Sequence, residues 1–185
     1  MRNRFDRQLE ELNEMLIHMG ELCETAIEEA TGALEGHDIA RAKAVITADS
    51  EIDQMEKEIE NLCLKLLLQQ QPVARDLRRI SASLKMITDM ERIGDQTSDI
   101  AEIIISSKWE KMEENLDKLT AMATGVSKMV RNSVTAYVEK DLELARTVMK
   151  DDDEIDDYFD EIRDQMIQLI READSRDGRK IFDLI

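Results

Sequence analysis

Glu91, Asp95 and Asp99 stand four residues apart in the run Glu-Arg-Ile-Gly-Asp-Gln-Thr-Ser-Asp. At ~100° per residue that spacing puts all three carboxylates on one helix face, within an arc of about 80°. Like charges at this separation cost a helix ~0.2–0.5 kcal/mol per pair, so the ladder calls for full solvation or for a counter-cation. Asp49 and Asp53 repeat the spacing upstream, Asp152 and Asp156 repeat it downstream, and Glu56 and Glu60 extend the face of Asp49 and Asp53. Carboxylates contributed by neighbouring helices make an all-oxygen site suited to iron, manganese, magnesium or calcium, and less comfortably to zinc. In a chain with 36% charged residues, a solvated face satisfies the same spacing; recurrence of the ladder favours the metal reading.

Other chemistry finds little support. A ferritin-like di-iron centre needs a Glu-x-x-His pair, and here Met15 and Leu34 stand three residues before the two histidines, His18 and His37. Both histidines read as surface or helix-end residues. There is no Gly-x-Ser-x-Gly elbow and no glycine-rich phosphate loop, so no nucleophile with its base can be assembled. A non-enzymatic role is expected.

The 42 acidic and 25 basic residues give a formal charge of −17, which repels nucleic acid and anionic lipid and disfavours capture of free phosphate. Cys23 and Cys63 lie in apolar helical patterns and read as reduced, buried thiols. The N-terminus carries no apolar signal region, and no run approaches the ~18 apolar residues of a spanning helix. A cytoplasmic protein without membrane insertion is expected.

The elements that must position these groups are long helices. Apolar residues at three-to-four spacing run from Phe5 to Leu34 up to Gly36, and again from Ile39 to Leu66 after a cap at Asp38. A third pattern follows the single proline, Pro72, from Leu77 to about Ser106. Short connections between long rods force antiparallel neighbours, hence an up-down-up three-helix bundle. Met15, Met19, Met55, Met86 and Met90 sit at helical spacing and read as core filler.

The pattern then restarts. Asp38, Ala42, Val45, Asp49, Glu51, Ile52, Asp53, Glu58 and Ile59 recur identically 103 residues later as Asp141, Ala145, Val148, Asp152, Glu154, Ile155, Asp156, Glu161 and Ile162. The expected domains are residues 1–107 and 108–185, with Trp109 anchoring the link. The same offset carries a second copy of Glu91 and its ladder past Ile185, so the second bundle is expected to be incomplete in its last helix. The basic cluster Arg75, Arg78 and Arg79 reads as local charge balance beside the second helix or, alternatively, as a contact for an acidic partner.

Gln70-Gln71-Pro72-Val73-Ala74-Arg75-Asp76-Leu77-Arg78, Met90-Glu91-Arg92-Ile93-Gly94-Asp95 and Asp49-x-Glu51-Ile52-Asp53 together resemble the PhoU family. The resemblance runs from the first helix to Ile185 and implies an all-α fold of two tandem antiparallel three-helix bundles. It implies a cytoplasmic negative regulator of phosphate uptake and phosphate-starvation signalling, an adaptor between a phosphate ABC transporter ATPase and a sensor histidine kinase. A homodimer is compatible with it. It also implies multinuclear iron or zinc on the acidic motifs: Glu91, Asp95 and Asp99 as ligand candidates, with Asp49, Asp53, Asp152 and Asp156 as partner ladders. The alternative is a metal-handling helical bundle with no signalling role.

Overall fold

A computed structural model describes residues 2–70, 73–107 and 116–172. They form five helices: α1 (Arg2–Gly36), α2 (Ile39–Gln70), α3 (Ala74–Ser106), α4 (Leu116–Glu139) and α5 (Leu142–Glu172). Helices α1, α2 and α3 pack on one another, α4 lies against α1, and α5 against α4. The expected link at Trp109 and the start of a third helix in the second repeat lie outside the described residues.

The duplication is written into the backbone. His37, after α1, and Lys140, after α4, take left-handed φ values of 48° and 59°, a conformation that costs a non-glycine residue about 1 kcal/mol or more. They are 103 residues apart. The N–H of Asp38 donates to the carbonyl of Ala33 at 2.9 Å, and the N–H of Asp141 to that of Ala136 at 2.9 Å, closing each helix by the same C-terminal motif. Each aspartate then starts the next helix: Asp38 Oδ1 accepts from the N–H of Arg41 at 3.0 Å, and Asp141 Oδ1 from that of Leu144 at 2.9 Å.

The core sits where the patterns predict it. Leu9, Leu12, Leu16, Met19 and Cys23 of α1 are buried with Ile52, Ile59, Cys63 and Leu66 of α2 and with Ile80, Ile87 and Met90 of α3. Met19 and Met90 are core, and Met15, Met55 and Met86 pack against it. The buried stripe of α3 runs Ile80, Ser83, Ile87, Met90, Gly94, Thr97, Ala101, Ile104 in alternating steps of three and four. Continued backwards it reaches Asp76, which leaves Leu77, expected to face inward, 48% exposed.

Val130 and Val134 of α4 belong to the same apolar cluster as α1, α2 and α3, so the two repeats share part of one core. The α1–α4 contact is antiparallel. Glu35 accepts a hydrogen bond from Thr120, while a Cβ on Gly20 would stand 3.2 Å from Val134 Cγ2. Between these points Arg131 Nε donates to Glu24 Oε2 at 2.8 Å, the Glu24 side chain being 10% exposed.

Candidate metal centre

Gly94 decides the geometry of the acidic ladder. A Cβ at this position would lie 2.7 Å from Asp49 Oδ1 and 3.0 and 3.2 Å from Ile52 Cδ1 and Cγ2, so the backbone of α3 rests directly on α2. Glycine inside a helix costs about 1 kcal/mol relative to alanine, and here that cost gains the close approach. Thr97, buried one turn on, donates its hydroxyl to the Gly94 carbonyl at 2.7 Å.

Across this contact Asp49 and Asp53 of α2 and Asp95 of α3 each present an oxygen, all within 4.8 Å of one another. Oxygens so placed can share a single ion at bond lengths of about 2.4 Å. Asp49 Oδ1 is buried without a hydrogen-bond partner, which costs roughly 1–3 kcal/mol unless something positive satisfies it. Lys57 Nζ comes only to 3.9 Å from Asp53, with both side chains well exposed, and no cationic side chain among the described residues pairs with Asp49 or Asp95. The donor set therefore fits a hard cation.

The electrostatics record the same strain. Burial, then Asp53, Asp95 and Asp99, push the Asp49 carboxyl above its ordinary range. Burial, then Asp95, Glu56, Asp53 and Asp49, do the same to Glu91. Glu91 and Asp99 thus flank the three aspartates within electrostatic reach. Asp152 and Asp156 do not join them: both are exposed on α5, and Asp152 borders a separate cleft with Met90 and Ile155. Their expected opposing ladder is absent from the described residues.

The thiols are not ligands of this group. Cys23 and Cys63 are free and buried, and burial pushes their pKa values up to about 12 and about 11, so both stay protonated at neutral pH. Cys23 Sγ donates to the Met90 carbonyl at 3.4 Å. His18 is exposed beside Glu21, and His37 sits in the α1–α2 turn, as the sequence suggested. The charge-balance reading of the basic cluster is not supported: Arg79 donates to Asn13 of α1 at 3.3 Å, and neither Arg75 nor Arg78 pairs with a carboxylate among the described residues. The signal overlooked in the sequence was Gly94 itself, a glycine in a helix interior being a mark of close backbone approach.

The family model described as PhoU domain matches residues 16–104 and again 119–185. The chain belongs to the PhoU family. The two PhoU matches begin 103 residues apart, the same offset as the two left-handed turns. Similar proteins include the phosphate-specific transport system accessory protein PhoU homologues of Clostridium acetobutylicum and Aquifex aeolicus. The first is 38% identical over 173 residues, 93% of this chain and 79% of the relative. The second is 33% identical over 166 residues, 90% and 75% of the two chains. The crystal structure of PhoU from Pseudomonas aeruginosa superposes with a TM-score of 0.88 at 29% identity, covering 98% of this chain and 87% of that one. That of the phosphate transport system regulatory protein PhoU from Streptococcus pneumoniae gives 0.86 at 26% identity, with 96% and 84% covered. The acidic group Asp49, Asp53 and Asp95 falls inside the first PhoU match.

Proposed function

We propose that the chain is a cytoplasmic, non-enzymatic regulator that represses phosphate uptake and phosphate-starvation signalling, as an adaptor between a phosphate ABC transporter ATPase and a sensor histidine kinase. The observation that carries this reading is membership of a family whose named relatives are accessory proteins of phosphate-specific transport. Long helices joined by tight turns give wide, rigid side faces on which partner proteins can dock. The net charge of −17 makes docking a better account than direct sensing of phosphate. Self-association into a homodimer is compatible with this role.

Within it, Asp49, Asp53 and Asp95 hold a hard cation, with Glu91 and Asp99 available to extend the site to more than one ion. Iron or zinc, or magnesium, manganese or calcium, would neutralise the repulsion recorded on Asp49 and Glu91 and satisfy the orphaned Asp49 oxygen. The cation's work is to fasten α2 to α3.

The test is deletion of the gene with phosphate in excess, together with capture of the ATPase or kinase by the full-length protein. Starvation genes that turn on in the deletion strain, and capture of either partner, support the adaptor. The buried, unpartnered Asp49 oxygen favours one second reading, a metal-handling bundle. It takes over if those genes stay silent and neither partner is captured while metal content falls in the variant Glu91→Ala with Asp95→Ala.

A further inference from the structure

A cleft of about 400 Å³ lies between the first turns of α3 and the α4–α5 turn, lined by Arg75 and Arg79 of α3 and by Tyr137, Lys140, Asp141, Leu142 and Ala145 of the turn region. Its charge runs against that of the molecule. Several cations elsewhere are spent on carboxylates: Arg41 on Glu29, Lys118 on Glu161, Lys128 on Asp151, Arg131 on Glu24. Arg75 and Lys140 are exposed and, among the described residues, pair with no carboxylate, and the Arg79 guanidinium donates there to the neutral amide oxygen of Asn13. Asp141 borders the cleft, but its Oδ1 accepts the N–H of Leu144 as the cap of α5.

The cleft is held in shape before anything enters it. Tyr137 donates its hydroxyl to the Arg79 carbonyl at 2.7 Å and lies 2.9 Å from the buried Ser83 hydroxyl, which ties the end of α4 to the start of α3. Val73 precedes α3 with no side-chain cap, so the positive end of that helix dipole adds to the three cations.

We propose that this cleft docks an acidic segment of a partner protein, its carboxylates meeting Arg75, Arg79 and Lys140. Charge complementarity selects the occupant. A charge of −17 repels a long polyanion such as nucleic acid. A short acidic segment feels mainly the charges within the ~8 Å screening length, and those lining the cleft are Arg75, Arg79 and Lys140 against the single carboxylate of Asp141. The proposal deepens the adaptor reading and rests on it for the existence of a protein partner.

A random peptide library selected on the full-length chain tests it. Overall charge by itself favours basic peptides, so recovery of an acidic class is the supporting result. These peptides should bind about tenfold or more weakly to Arg75→Glu with Lys140→Glu, about 1.4 kcal/mol per tenfold. Lys65→Glu on α2 should leave them unaffected, and unchanged helical circular dichroism shows that each variant is folded. Recovery of basic peptides alone, undiminished acidic binding to the double variant, or displacement of the acidic peptides by millimolar inorganic phosphate would overturn the proposal. The selection uses neither transporter nor kinase. A cleft that takes no acidic peptide leaves the regulatory reading standing, and a silent deletion strain leaves the cleft standing.

Discussion

Leu16, Met19, Cys23, Val45 and Ile52 of the first repeat are buried to 3% exposure or less, whereas their counterparts Leu119, Met122, Val126, Val148 and Ile155 are only half-buried. The residues are of the same kind, and the difference is what covers them. Cys23 and Ile52 lie beneath α3, at Met90 and Gly94, while Val126 and Ile155 border an open cleft of about 390 Å³. Where a neighbour is present in both repeats the burial agrees: Ile27 and Val130 are each 8% exposed. Among the described residues burial therefore follows the neighbouring helix rather than the apolar residue, and the same holds for the acidic ladders. Asp49 and Asp53 meet Asp95 across α3, whereas Asp152 and Asp156 lie exposed.

The strongest way to break this comparison is to truncate matched core residues. Ile52→Ala should destabilise the chain by about 2–5 kcal/mol, as a confined cavity does. Ile155→Ala, at the border of a cleft, should cost less than half as much in urea unfolding. Equal losses would mean that α4 and α5 are as tightly covered as α1 and α2.

Buried charge comes next. Arg131→Met leaves the Glu24 carboxylate, 10% exposed, without its partner across the α1–α4 contact, and should lower stability by less than Ile52→Ala does. Since this pair joins the two repeats, the variant should also separate the unfolding of α4 and α5 from that of α1–α3, seen as non-coincident transitions by two spectroscopic probes.

Glycine sharpens the comparison further. Gly94→Ala forces a Cβ against Asp49 and the buried Ile52 and should cost about 1–2 kcal/mol as overpacking. Gly125→Ala meets only the Cδ1 tip of Ile155, a flexible group beside open space. It should be neutral or slightly stabilising, because alanine regains up to ~1 kcal/mol of helix propensity. Calorimetric midpoints of the two variants decide the matter.

The smallest effect is that of pH on the metal-free chain. Asp49 has a folded-state pKa above its unfolded value, so the fold binds this proton more tightly than the unfolded chain does. Stability then falls as pH rises through the window just above the ordinary carboxylate range, and recovers on acidification. Asp49→Asn should flatten that slope. With a hard cation added the sign reverses for the wild type, since the ion competes with the proton. Titration of the melting temperature with and without the cation reads both effects.

The fold was largely legible because it is built from local signals. Three-to-four apolar spacing gave the helices, and Asp38 and Asp141 marked where two of them begin. The candidate site was legible only in part: the i,i+4 ladder named Glu91, Asp95, Asp99, Asp49 and Asp53 but could not rank them. Their grouping depends on how closely two helices approach, and the residue that sets this, Gly94, carries no charge. Leu77 misled for a related reason, since periodicity fixes an angular position to within one residue and a stripe in steps of three and four passes it by.

By itself the sequence determined the helices, the 103-residue repeat and the acidic faces, because each depends on neighbours a few residues away or on likeness between two segments of one chain. Only the tertiary structure decided that the two repeats share a core through α1 and α4, that Asp49, Asp53 and Asp95 converge while Asp152 and Asp156 do not, and that Arg75, Arg79 and Lys140 border one cleft. Those outcomes turn on distances between residues far apart in the chain, and such distances are set by which helix covers which.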